Sequence, residues 1–223
     1  MNKLRVRGLA LMVLSAAAVL FTGCHVTGGG SQLPAPDPYV QVPYGKLKDY
    51  LRDTASSKKL NYIEVTGTIP AADLKGKDWI PSKLGDLMRK EKQKKIALRL
   101  PKNIEGLTDM SDCFASCKNL ISLESIPEGV SNMEGCFAGC KNLTTAPAIP
   151  EGVTDMYKCF AGCISLTTAP AIPEGVSNMY KCFAGCISLT TAPAIPEGVS
   201  NMEDCFAGCK SLTTAPSISE GVT

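Results

Sequence analysis

The stretch MYKCFAGCISLTTAPAIPEGVSN, residues 156–178, is followed at once by the same 23 residues at 179–201. Looser copies begin at Met110, Met133 and Met202, so five units run in phase to the last residue, Thr223. Within a unit the apolar spacing predicts one buried side. Met156, Cys159, Phe160 and Cys163 fit the inner face of a helical turn, and Gly162 permits a tight exit. Leu166 and Ala169 then point inward from a short strand. Pro170 and Pro173 cannot donate ladder hydrogen bonds, which limits that strand and leaves its far end extended. Gly175 turns the chain and Val176 returns it to the core.

One such unit has too few apolar groups to fold alone, whereas stacked neighbours bury a continuous core. A period of roughly 20–29 residues with regularly placed leucines marks a leucine-rich solenoid with one strand per unit in a parallel sheet. The fold class is therefore an α/β repeat solenoid. The motif Cys-Phe-Ala-Gly-Cys-x-x-Leu, followed by Ile-Pro-Glu-Gly-Val and Asn-Met, resembles the BspA-like, or Treponema-type, leucine-rich repeat. The resemblance is close over 110–223 and loose over 45–109. It implies a right-handed solenoid carried on bacterial surface lipoproteins, in a family associated with adhesion to host matrix proteins, epithelial cells and other bacteria. It supplies no catalytic residues.

Upstream, the pattern changes. Leu47, Tyr50, Leu51 and Ala55 recur at helical spacing, and Leu60 to Val65 reads as a strand closed by Gly67. Trp79 and Pro81 introduce a second amphipathic segment with Leu84, Leu87 and Met88 on one face, and Trp79 reads as part of that core rather than as a ligand-stacking platform. Ile96 to Leu100 is another strand. Leu100, Gly106 and Leu107 stand 23 residues before Leu123, Gly129 and Val130, so residues 45–109 are expected to be an N-terminal α/β cap beginning the same sheet. Residues 24–44, with Gly28-Gly29-Gly30-Ser31 and several prolines, read as a tether.

Residues 1–23 read as a secretory signal: Lys3, Arg5 and Arg7 precede an apolar run from Leu9 to Phe21, too short to span a bilayer. Leu20-Phe21-Thr22-Gly23-Cys24 resembles a bacterial lipobox, although Phe21 stands where leucine is commonest. Cys24 is then the lipidation site, and the membrane contact is through lipid. The expected location is the outer membrane or cell surface.

Charge and residue inventory narrow the function. Residues 25–109 carry 15 basic and 10 acidic side chains, and residues 110–223 carry 5 and 11. Neither half has the aromatic-interleaved basic patch of a nucleic-acid binder. The only histidine, His25, lies in the tether, which removes Ser-His-Asp and Cys-His catalysis from the folded part. Ten cysteines pair as Cys-x-x-x-Cys, one pair per unit, and read as small buried core residues rather than disulfides, metal ligands or redox centres. No metal or cofactor is expected. Glu128, Glu151, Glu174, Glu197 and Glu220 form a solvated ladder.

What remains is a surface. The outward strand column Thr145, Thr168, Thr191 and Thr214 is the leading candidate to meet a protein or glycan ligand. Tyr157 and Tyr180, with Ile164 and Ile187, depart from the polar residues of the other units and would form one patch if exposed. The alternative is a structural spacer of the envelope without a specific ligand. The fifth unit stops one residue short and keeps Phe206, Leu212 and Ile218, so its far end is expected either to continue in a longer array or to self-associate.

Overall fold

The backbone hydrogen bonds of residues 156–164 show why the coil stacks. Met156, Lys158, Phe160 and Gly162 donate to the carbonyls of Asn178, Tyr180, Cys182 and Ala184 in the next coil at 2.7–2.9 Å. The residues between them, Cys159, Ala161 and Cys163, donate three residues back within the coil at 3.0–3.1 Å, and Tyr157 donates to its neighbour Asp155 Oδ1 at 2.8 Å. Every amide in the segment is paired, four of the nine to the next coil. A helical turn, the expectation for this segment, would keep those bonds within itself. Left-handed backbone at Lys158 (φ 52°) and Gly162 (φ 72°) opens it into linked turns, and the same two columns recur at Asp112, Gly135, Lys181 and Asp204 and at Ser116, Gly139, Gly185 and Gly208.

Residues 37–218 are described by a computed structural model. Four parallel strands open the solenoid in the order β1 (Val40–Pro43), β2 (Leu60–Thr66), β3 (Lys95–Arg99) and β4 (Leu120–Leu123). Later coils continue the ladder as single bridges, among them Ser122–Thr145, Thr168–Thr191 and Thr191–Thr214. The crossovers carry the helical pieces: a 3-10 turn Tyr44–Lys46, α1 (Leu47–Asp49) and a π turn Tyr50–Thr54, then α2 (Lys83–Lys90). The chain is thus an open parallel-sheet repeat solenoid, right-handed as such crossovers are.

Two boundaries differ from expectation. Val40 to Pro43, assigned to the tether, is an edge strand paired with Ile63 to Thr66, where a proline costs no ladder bond. It is held there partly by Arg99, which reaches Asp37 and Glu124 at 2.6 Å and lies 4.0 Å over the Tyr39 ring. The register also slips: Leu98, not Leu100, pairs with Leu123, with a bulge between Ile96 and Ala97, and the 23-residue offset returns at Asp109–Asn132. The signal segment, Cys24, His25, the first part of the tether and residues 219–223 lie outside the described residues.

Inside, like residues stack on like. Phe114, Phe137, Phe160, Phe183 and Phe206 form a column of rings 5.3–5.6 Å apart and within 14° of parallel. The ten repeat cysteines carry free thiols, nine buried and Cys209 half-buried. Cys140, Cys163, Cys186 and Cys209 each donate to the carbonyl of a phenylalanine one coil back, Phe114, Phe137, Phe160 and Phe183, at 3.0–3.2 Å. A thiol here is a small apolar side chain that also satisfies a buried acceptor. Burial pushes the thiols from Cys117 to Cys209 up, Cys186 and Cys205 to about 12, so these stay protonated and unreactive near neutrality.

Candidate functional site

The threonine column is where the sequence places it. Thr145, Thr168, Thr191 and Thr214 are all exposed and continue the face of β4 beyond Ser122. The preceding threonines stiffen the column, since Thr144, Thr190 and Thr213 donate their hydroxyls to carbonyls 23 residues back at 3.1–3.4 Å. The glutamates Glu128, Glu151, Glu174 and Glu197 are exposed, a solvated row as expected.

The tyrosines belong to a second ladder, the bridges Asp109–Asn132–Asp155–Asn178–Asn201. Each follows one of its rungs and is pinned by it, Tyr157 N–H to Asp155 Oδ1 at 2.8 Å and Tyr180 N–H to Asn178 Oδ1 at 3.1 Å. Their half-exposed rings stack 5.1 Å apart at 13°. Ile164 and Ile187 occupy a different column: its first member, Lys118, lines a cleft against the end of α2, whereas the tyrosine column runs beside Trp79. The four side chains make two stripes rather than one patch.

Trp79 is the residue the sequence reading misplaced. It is 49% exposed, not part of the cap core. Lys77 and Ile80 exchange both backbone hydrogen bonds, at 2.9 and 3.0 Å, across a tight turn whose central residues, Asp78 and Trp79, have φ of 53° and 66°. That is a mirror-image hairpin turn, which favours Asn-Gly; a tryptophan at its second central position is strained by about 1–3 kcal/mol. The turn is fixed from the array side, where Asp112 Oδ2 accepts the Trp79 N–H at 3.1 Å. Burial pushes the Asp112 carboxyl up; the Trp79 N–H opposes this and the nearby Asp78 adds to it.

The indole reaches the array at one coil in particular. Gly135 carries no side chain where neighbouring units have Asp112 and Lys158, and a Cβ there would overlap the Asp112 carboxylate and lie 3.6 Å from Trp79 Cζ3. One coil further on, Lys158 sets its ammonium 4.9 Å from the Trp79 ring centre and 4.7 Å from that of Tyr157. Lys181 repeats the arrangement 4.7 Å from Tyr180 and pairs with Asp204 at 3.4 Å. Trp79, Lys158, Tyr157, Tyr180 and Lys181 therefore form one edge, exposed at Trp79 and half-exposed along the repeats, alternating aromatic and cationic groups. Sequence separation hid the link between Trp79 and the repeats; the clue available was the run Gly76-Lys77-Asp78, which suits a turn better than a core. Among the described residues no cluster of three or more His, Cys, Asp or Glu is placed to hold a metal, and no helix is long and apolar enough to cross a membrane.

With this geometry in hand, comparison with known proteins defines the class. The BspA type leucine rich repeat region matches six times over residues 93–213, and the chain belongs to that family. The matched region begins before Met110 and takes in β3, which the sequence reading placed in the cap. Two solved structures are similar. A leucine-rich repeat protein from Bacteroides ovatus ATCC 8483 is 25% identical over 52% of this chain, with a TM-score of 0.45, and the match spans only 30% of that chain. The leucine rich repeat protein of T. pallidum is 24% identical over 56% of this chain and 71% of that one, with a TM-score of 0.40. No curated protein matches.

Proposed function

We propose that this chain is a lipid-anchored bacterial surface protein, not an enzyme, that presents its repeat array to protein or glycan partners on host or bacterial surfaces. The observation that carries this reading is the Trp79 turn. A large apolar ring held in strained backbone and left half in water is what a binding anchor looks like, because packing alone would favour glycine there. The tyrosine stack and its lysines extend the anchor along the array, and the threonine column offers a flat, repeating polar surface that a partner can meet several times. A spacer with no ligand would gain nothing from the exposed indole.

The test uses Trp79→Gly, which relaxes the turn while removing the ring. Its stability should stay within about 1 kcal/mol of the parent, since glycine adopts positive φ without the strain a side chain brings. Binding to immobilised extracellular-matrix proteins or to a glycan array should fall at least about tenfold, as for an interface anchor. A parent that binds nothing on either surface would leave the spacer reading in place, and a variant that binds as the parent does would remove Trp79 from the site. The anchor is checked separately: Cys24→Ser is expected to move the protein from the detergent phase to the aqueous phase, and unchanged partitioning would refute lipidation at Cys24.

A further inference from the structure

The edge built by Trp79 and the tyrosines sits in an excess of negative charge. Residues 110–223 carry 11 acidic side chains against 5 basic ones. The column that holds Tyr157 and Tyr180 is bounded by glutamates, Glu134 one coil before and Glu203 one coil after. Both are exposed, and among the described residues neither makes an ion pair. Burial pushes the Glu134 carboxyl up, and the nearby Asp155, Asp112 and Asp109 add to it while Lys158 opposes.

The two lysines of the edge leave Glu134 and Glu203 unpaired, because both are engaged elsewhere. Lys158 holds its ammonium 4.9, 4.7 and 5.8 Å from the ring centres of Trp79, Tyr157 and Tyr180. Lys181 lies 4.7 Å from the Tyr180 ring and pairs with Asp204. Their positions also show what these rings attract, since an aromatic face draws cations through its quadrupole, most strongly at an indole. Half of Trp79 stays open to water, and its ring abuts Gly135, the residue next to Glu134. A cation arriving there finds a ring to stack on and a carboxylate to pair with. A guanidinium fits both, because its plane lies flat on the ring while its N–H groups donate to the carboxylate. A quaternary ammonium has no N–H for Glu134, and an acidic saccharide meets like charge.

We propose that the partner met by the Trp79 edge is a basic protein segment, with one arginine stacked on Trp79 and paired with Glu134, and a second basic side chain paired with Glu203. The two glutamates are 69 positions and hence three coils of 23 residues apart. At about 4.8 Å per strand that is roughly 15 Å. Basic residues four positions apart in an extended segment cover roughly 13 Å of backbone, and their long side chains make up the difference. The inference rests on the proposed function, whose anchor is Trp79, and narrows its partners from protein or glycan to cationic protein.

Trp79 is the only tryptophan of the chain, so its fluorescence reads this site directly. The full chain is titrated with a Gly-Ser peptide carrying two arginines four positions apart, with the same peptide bearing citrulline or glutamate in their place, and with phosphocholine. The arginine peptide should give a saturable change whose affinity falls as salt rises. The citrulline peptide should bind at least about tenfold more weakly, and the glutamate peptide and phosphocholine should give no response. Glu134→Gln with Glu203→Gln should weaken arginine-peptide binding at least about tenfold through loss of charge-assisted contacts. Glu151→Gln with Glu174→Gln, the same charge change on the exposed loop row, should leave it within about twofold. No saturable response to the arginine peptide, equal losses in the two double variants, or citrulline peptide or phosphocholine binding as tightly would each overturn the proposal. Trp79-dependent binding to matrix proteins or glycans without any response to the arginine peptide would remove the basic partner and keep the proposed function. A parent that binds neither surface yet holds the arginine peptide through Glu134 and Glu203 would do the reverse.

Discussion

Gly85→Ala is expected to destabilise the protein by about 3 kcal/mol, although the same change in an exposed helix stabilises by roughly 0.5–1 kcal/mol. The reversal comes from how α2 docks. Ser82 caps the helix by accepting the Gly85 N–H at 3.0 Å, and its own hydroxyl donates to the Cys113 carbonyl at 2.9 Å. Further along, the Cys117 thiol donates to the Gly85 carbonyl at 3.3 Å and Asn119 to that of Met88 at 2.7 Å. These bonds draw the helix backbone against the first coil, and a Cβ on Gly85 would stand well inside 3.0 Å of the Cys113 carbonyl oxygen and 2.9 Å from Pro81 Cβ. Neither atom is the free end of a flexible side chain, so the helix must lift and several buried bonds lengthen together. Chemical denaturation of Gly85→Ala beside Gly45→Ala, where nothing lies within 4 Å, measures the difference. Equal stability of the two variants would mean that the docking is looser than described.

The features legible in the sequence are those that depend only on period and polarity. Phe160, Cys159, Cys163 and Leu166 are buried as their spacing requires, and the strands at Leu60 and Ile96 fall where β-branched residues cluster. The linked turns of each coil were not legible, because Met156, Cys159, Phe160 and Cys163 fit a helical face and an inter-coil ladder equally well. What separates the two is the left-handed backbone at Lys158, and residue type does not announce it, since Asp112, Gly135, Lys158 and Asp204 all adopt it in turn. β1 was hidden by prolines that an edge strand tolerates. Of the candidate site, the tyrosine and threonine columns could be located from the repeat alone. The Trp79 edge could not, because it depends on Gly135 making room for a side chain 56 positions earlier in the chain. Asn119 reads as polar surface until α2 is laid over it.

Phe160→Ala is expected to cost about 3–5 kcal/mol from burial and the cavity left behind. The ring lies in the middle of the column, 5.3 Å from Phe137 and 5.5 Å from Phe183, and each stacked pair adds about 0.5–1.5 kcal/mol beyond burial. Its backbone carbonyl also accepts the Cys186 thiol at 3.2 Å, so collapse around the missing ring disturbs the next coil as well. Phe206 supplies the comparison: it is half-buried and, among the described residues, stacks on Phe183 alone, so Phe206→Ala should cost about half as much. In a solenoid, stability is close to a sum of coil terms and neighbour terms. A defect at Phe160 removes two neighbour terms and weakens the coupling between the coils on either side, whereas one at Phe206 removes a single term. Urea unfolding followed by circular dichroism should therefore show a broadened or two-step transition for Phe160→Ala, and a single, slightly shifted one for Phe206→Ala. Phe160→Leu should recover most of the loss from burial but none of the ring stacking. Equal costs at the two positions would show that the column acts as one cooperative block, and the coil-by-coil account of its stability would have to be given up.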